Sequence, residues 1–251
     1  MDFSGKTALV TGASGSIGQA IVRQFAAAGA RVAVHFHANR DAAEQLIAEL
    51  DGEGHLAIQS DMSNAASVEQ MVNAAIERFG RLDILVNNAG IDIRHAVAEV
   101  DYAEWQRAWK QVLDVNLLGT ANASYCAARH MIEQGGGRIV NVSSRGAYRG
   151  EPEHTSYGAS KAAMSALSQS LARELGQYKI YVTAVAPGWV EGGMARQALE
   201  GPDADAVRQQ SPVGRVAKPD EVAYTVLFLA SEGAEFSTGA VVDINGASYL
   251  R

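Results

Sequence analysis

Apolar positions along the chain follow two alternating rhythms. In short runs nearly every residue is apolar, and in longer stretches apolar residues return every three or four places. Residues 7–11 form the first run, which stops at Gly12. Residues 17–28 follow at helical spacing and close on Gly29, a helix C-terminal signal. Arg31–Phe36 predicts the second strand, and Asn39 caps a helix carrying Ala43, Leu46, Ile47 and Leu50. Residues 55–59 read as a weaker third strand. Val68, Val72, Ala75, Ile76 and Phe79 make a helical stripe ended by Gly80. Ile84–Asn87 predicts a fourth strand, ahead of one long helix over 101–133. Strands over 138–142 and 181–186 flank a helix over 156–176, and a helix over 221–230 and a strand over 240–244 complete the pattern.

Strands alternating with long helices predict a parallel sheet covered on both faces. Seven of them imply a single doubly wound α/β domain of the Rossmann type over 1–251. Only 191–215, rich in Gly, Pro, Ala and Asp, breaks the rhythm, and its length predicts a lid over a site. The 47% hydrophobic and 20% charged fractions exclude wholesale disorder. A formal charge of −7 argues against non-specific grip on nucleic acid or an anionic membrane. The single cysteine, Cys126, sits among alanines and reads as packing, with no intrachain disulfide possible. With no run of apolar residues long enough to span a bilayer and an early acid at Asp2, the expectation is a cytoplasmic protein. Six scattered histidines lack metal-ligand spacing, so no metal is expected.

Two groups of residues carry candidate chemistry. Between the first strand and first helix stands Thr11-Gly12-Ala13-Ser14-Gly15-Ser16-Ile17-Gly18. Glycines there let a pyrophosphate approach backbone N–H groups at a helix N-terminus, where the dipole favours anions. The lysine of a nucleotide-triphosphatase loop is missing, which disfavours phosphoryl transfer. Further on, Tyr157 and Lys161 lie one helical turn apart, so an ammonium can sit near a phenol. Lys⁺ and an oxidised nicotinamide would favour the phenolate and draw down a pKa ordinarily near 10. Ser144, at the end of the fifth strand, faces the same rim; Ser143 is the weaker candidate for the reacting hydroxyl.

With these residues in place, the chain resembles the short-chain dehydrogenase/reductase family over essentially its whole length. Thr11, Gly12 and Gly18 match the family's glycine loop, while Ser16 stands where its middle glycine belongs and Gly15 lies one place earlier. Either the turn is re-registered, or Ser16 faces the phosphates alongside Ser14 and Ile17. The resemblance implies adenine contacts at Asp61-Met62, and cofactor contacts at Asn88, Ala89 and Gly90 and at Pro187-Gly188. Gly192 replaces a threonine common in the family, leaving backbone at Val190 to meet the carboxamide. By the same resemblance Ser144 holds the substrate oxygen, Tyr157 transfers the proton, Lys161 holds the ribose and tunes Tyr157, and Asn116 anchors a water to Lys161.

The implied function is NAD(P)-dependent interconversion of a ketone and a secondary alcohol. The second strand ends in Phe36 rather than an acid, and His37, Asn39 and Arg40 follow, which predicts NADP(H) over NAD(H). Arg94, His95, Arg145, Tyr148, His154 and Trp189 are the candidate substrate-pocket residues and lean toward a polar or anionic carbonyl compound. The chain is similar to 3-oxoacyl carrier-protein reductases, although Tyr178 stands where many of these carry a basic docking residue. A sugar or polyol dehydrogenase, and a cofactor sensor without turnover, are the alternatives. The helix around Tyr157 is apolar or small nearly all round, which with the family pattern implies a homotetramer.

Overall fold

The computed structural model describes residues 1–251, the side chain of Met194 excepted. Seven parallel strands lie in one sheet of order β3-β2-β1-β4-β5-β6-β7. They are β1 (Thr7–Val10), β2 (Arg31–Phe36), β3 (Leu56–Gln59), β4 (Ile84–Asn87), β5 (Gly137–Val142), β6 (Ile180–Pro187) and β7 (Val241–Ile244). Helices α1 (Ser16–Ala27), α2 (Arg40–Ala48) and α10 (Pro219–Ala230) belong to one face. On the other lie α3 (Ala65–Phe79), α4 (Tyr102–Leu113), α5 (Thr120–Gln134) and α7 (Thr155–Leu175), with the short α6 (Gly146–Arg149) packed against α7. The pleat sorts side chains between the two cores. Ala8, Val10, Val32, Val34, Ile84 and Val86 enter the first, while Leu9, Ala33, Leu85 and Ile139 enter the second.

Strand order reverses between β1 and β4, and open α/β sheets bind ligands at the carboxyl ends of strands beside such a switch point. Segment 191–215 rises above this edge. It holds two short helices, α8 (Arg196–Glu200) and α9 (Ala204–Gln209), and is tied down where Val190 bridges Ala217.

The expected long helix over 101–133 is present, running without a break over 102–134, but its hydrogen-bond pattern changes midway. A π-helical turn over Asp114–Gly119 separates α4 from α5. The extra residue such a turn carries re-aims the side chains within it. At its end Gly119 sits against β3's outgoing loop, where an added Cβ would come 2.5 Å from the Met62 carbonyl oxygen.

Candidate active site

The turn after β1 is built around two positions that admit no side chain. Gly12 has φ +63°, and a Cβ there would meet the Ala89 Cα at 2.8 Å; at Gly18 it would meet the Gly12 carbonyl oxygen at 2.4 Å. Gly15 is different: it is extended, with nothing nearer than 3.5 Å to an added Cβ. The turn has therefore kept its register, and Ser16 simply opens α1. Thr11 Oγ1 accepts from the backbone N–H groups of Asn88 and Ala89, both at 3.0 Å, and Asn88 Nδ2 donates to the carbonyls of Thr11 and Gly12. Asn88 and Ala89 thus lock the loop as well as flanking it. The first turn of α1 has no side-chain cap and no acid, so its N–H groups are free for an anion. That cradle fits a pyrophosphate.

One contributor to this loop escapes sequence reasoning. The Gly12 N–H donates to His35 Nδ1 at 2.9 Å, so the ring proton sits on Nε2, which donates to the Ser60 carbonyl at 3.1 Å. Burial pushes the His35 pKa down, the Ser60 carbonyl opposes this, and neighbouring His37 adds to it. The only sequence signal is position: His35 sits in β2 with a buried side chain amid apolar residues.

The two departures from the family pattern meet in space. A Cβ at Gly192 would lie 3.2 Å from the Ser16 Cβ, and one at Gly193 would lie 3.1 Å from the Ser16 hydroxyl oxygen. Ser16 occupies room that a side chain at 192 would need, so each departure accommodates the other. Beyond Gly188, the bridge to Ala217 uses the Trp189 carbonyl and the Glu191 N–H, which leaves the Val190 N–H and carbonyl pointing away from it. Pro187 ends β6, and its carbonyl accepts from the Arg145 N–H.

Ser144, Tyr157, Lys161 and Asn116 converge at the ends of β5 and β4. The Ser143 hydroxyl is turned inward, donating to the Lys161 carbonyl at 2.9 Å. Ser144 is thereby left as the hydroxyl facing the cleft: it accepts from the Gly146 N–H at 3.0 Å and stands near enough to the Tyr157 phenol to favour its ionised form. Lys161 is buried, donates to the Val142 carbonyl at 2.8 Å and stands 5.8 Å from the Tyr157 ring centroid. An added side chain at Gly90 would stand 3.4 Å from Lys161 Nζ and 3.3 Å from Asn116 Oδ1, so only glycine leaves the gap between them open. Asn116, re-aimed by the π turn, accepts from the Ile91 N–H at 2.8 Å and donates to the Ile91 carbonyl at 2.9 Å and to Ser160. It holds the chain beside Lys161 rather than touching the ammonium.

Burial raises the Tyr157 phenol to about 12; the neighbouring Ser144 hydroxyl opposes this, while Asp92 and Glu151 reinforce it. Burial also brings the Lys161 ammonium down to about 8. The chain's own groups thus favour a protonated phenol, whereas the downward pull expected of Lys161 acting with an oxidised nicotinamide concerns the loaded site.

The start of α7, which carries Tyr157, is fixed by His95. His95 Nε2 accepts from the Ser156 N–H at 3.2 Å, and its Nδ1 lies 2.6 Å from the Ile93 carbonyl. Other candidate pocket residues scatter. Arg94 is held between Glu99 and Glu153, at 2.5 and 2.7 Å, and belongs to the surface rather than a pocket. His154 pairs with Asp92 at 2.8 Å, and Tyr148 lies 4.0 Å beneath the Arg251 guanidinium. Arg145 and Trp189 do line one cavity. On the adenine side, Asp61 is occupied by the Ser63 N–H and hydroxyl, which hold its carboxyl below the usual range, and Met62 is buried. Asn39 caps α2 as expected, accepting from Ala42; Arg40 lies over the Phe36 ring and pairs with Glu44 at 3.2 Å, and His37 leans on the Ser60 carbonyl.

Residues 12–247 match the family model described as Enoyl-(Acyl carrier protein) reductase. The chain is 37% identical over 247 residues to the 3-oxoacyl-[acyl-carrier-protein] reductase FabG of Staphylococcus aureus, spanning 98% of each chain. It is 38% identical over 251 residues to the D-threitol dehydrogenase of Mycolicibacterium smegmatis, spanning 99% of this chain and 95% of that one. A short chain dehydrogenase from Burkholderia cenocepacia, solved in complex with NADP, superposes with TM-score 0.90 at 35% identity and covers 99% of both. A dehydrogenase/reductase from Sinorhizobium meliloti superposes with TM-score 0.92 at 34% identity, covering 99% of this chain and 97% of that one. Likeness of this extent, in sequence and in backbone alike, makes the kinship plain: the chain belongs to the short-chain dehydrogenase/reductase family of oxidoreductases.

Proposed function

We propose that this oxidoreductase interconverts a ketone and a secondary alcohol, prefers NADP(H) to NAD(H), and relies on Ser144, Tyr157, Lys161 and Asn116. The observation that carries the reading is their convergence beside a side-chain-free loop whose helix N-terminus is open to phosphate. A reduced nicotinamide, when bound, supplies the hydride. Ser144 holds the carbonyl oxygen by a hydrogen bond, and Tyr157 donates its proton to that oxygen as charge develops there. Lys161 would hold hydroxyls of the cofactor's ribose and replenish the Tyr157 proton, while Asn116 keeps the Ile91 backbone in line beside it. A sensor without turnover would have no use for these four groups together.

Support for NADP(H) comes from the end of β2. Phe36 offers no carboxylate to accept from a ribose 2′-hydroxyl or to repel a 2′-phosphate. The Arg40–Glu44 pair is more than half exposed on both sides, at 58% and 56%, so turning Arg40 to a phosphate forfeits little. The assay is the ratio of kcat/KM for NADPH over NADH on a panel of ketones, followed by nicotinamide absorbance. We expect a ratio above one that falls at least tenfold in Arg40→Ala; a wild-type ratio at or below one would refute the preference. Within the panel, 3-oxoacyl thioesters and keto-sugars are the two groups to rank first, since relatives carry those two kinds of name.

We further infer a cytoplasmic homotetramer, with 191–215 acting as a lid. The cytoplasmic reading rests on Cys126 having no partner for a disulfide; no helix among the described residues is long and apolar enough to cross a membrane. The tetramer rests on large apolar side chains exposed on two helices. Leu118 and Tyr125, two helical turns apart, are exposed on one helix, and Tyr224 and Phe228, one turn apart, on α10. Outward-facing alanines on α7 (Ala159 and Ala166) are too small to form a patch alone.

A further inference from the structure

Besides Lys161, Arg145 is the one lysine or arginine buried among the described residues, at 3% exposure. It forms no ion pair among them. Nη1 donates to the Ser248 hydroxyl at 2.6 Å, and Nε is enclosed with no partner. Burial and nearby Arg149 both work against its charge, and only Glu151 favours it from a distance. A buried guanidinium with one neutral acceptor is costly, and a fold retains such a group where something else completes its hydrogen bonds.

Arg145 lines a cavity of about 170 Å³ with Trp189, Gln210, Ser211, Asn245 and Ser248. Two acids also line it, but neither is free for Arg145. Glu221 takes two bonds from Arg215, both at 2.7 Å, and Asp243 is held by Arg251 at 3.0 Å. Trp189 Nε1 is already committed to Gln210 at 3.2 Å, and the Ser211 hydroxyl to the Gly246 carbonyl at 2.7 Å. Among the groups lining the cavity, none of the acids is thus paired with Arg145. The cavity's volume is several times the roughly 30 Å³ share of one water, enough for an oxyanion group but small for a whole ligand.

We propose that this cavity is an oxyanion receptor, in which Arg145 takes a carboxylate or phosphate group. Arg145 directly follows Ser144, and its N–H donates to the Pro187 carbonyl at 2.8 Å, so the cavity adjoins the same end of the sheet as Ser144. Resting on the reading of Ser144 given above, the substrate class is a ketone that also bears an acidic group. The same chemistry would also admit a free small anion.

The test has two arms. In the first, acetate and inorganic phosphate are titrated calorimetrically into the NADP⁺-loaded wild type and into Arg145→Met and Arg145→Lys. Binding by the wild type that weakens at least tenfold in Arg145→Met and recovers in part in Arg145→Lys supports the receptor. Absence of binding to the wild type, or binding unchanged in Arg145→Met, overturns it without reference to turnover. In the second arm, kcat/KM is compared for paired ketones with and without a terminal carboxylate. A carboxylate preference that falls at least tenfold in Arg145→Met assigns the receptor to substrate. No preference in the wild type, with anion binding intact, overturns the substrate class and leaves a free-anion receptor. Loss of all turnover in both pairs with anion binding intact would fault the catalytic reading instead.

Discussion

His35 works only as a neutral ring, because one nitrogen must accept from Gly12 while the other donates to Ser60. Its folded pKa is lowered from an ordinary 6.5 by burial. In the interval below 6.5 the unfolded chain binds a proton that the folded chain does not, so stability falls as pH drops through that interval. We therefore expect the melting temperature and cofactor affinity to decline together below about pH 6.5, and the decline to flatten in His35→Asn, whose amide does not titrate. A pH series of melting curves checks this; an identical acid-side slope in both proteins would remove His35 from the account. Residues with such roles are hard to read from sequence. Tyr157, Lys161 and Ser144 are legible because the chemistry demands their identities at fixed spacing. His35 acts through Gly12, 23 positions away, and spacing carries no trace of that. Arg94 misleads in part for the same reason, since one of its two partners, Glu153, lies 59 positions on, although Glu99 is only five away.

Among elements, alternating apolar periods make every strand legible to within a residue or so, because both faces of the sheet are buried. The π turn over Asp114–Gly119 is not legible: a single extra residue shifts the stripe without stopping it. It nonetheless decides where Asn116 points. The approach of Gly192 to Ser16 is a second contact between elements far apart in sequence, and it makes a coupled prediction. Gly192→Ala adds strain at φ +79° in any background, but only opposite Ser16 does it also meet the side chain at 3.2 Å. A double-mutant cycle with Ser16→Gly should return a coupling of about 0.5–3 kcal/mol in thermal or denaturant stability. Additive effects would mean the two departures are independent.

For the whole molecule, a sheet with two covered faces still leaves large apolar side chains exposed on its helices, with Tyr125 at 66% and Phe228 at 49% exposure. Two self-complementary interfaces built on such helices would generate a tetramer of two-fold symmetry. Light scattering should give about four times the 26.5 kDa chain, and Tyr125→Glu should yield a dimer that retains the other contact. A dilution-independent monomer would contradict the assembly. The central claim, however, is chemical: one phenol at the sheet's carboxyl edge manages the proton of a carbonyl reduction. The most direct measurement is single-turnover reduction by Tyr157→Phe on the best ketone of the panel, with NADPH binding followed separately. The account predicts cofactor binding within about twofold of wild type and a turnover rate reduced by about 10²–10⁴. Undiminished turnover in Tyr157→Phe would contradict it.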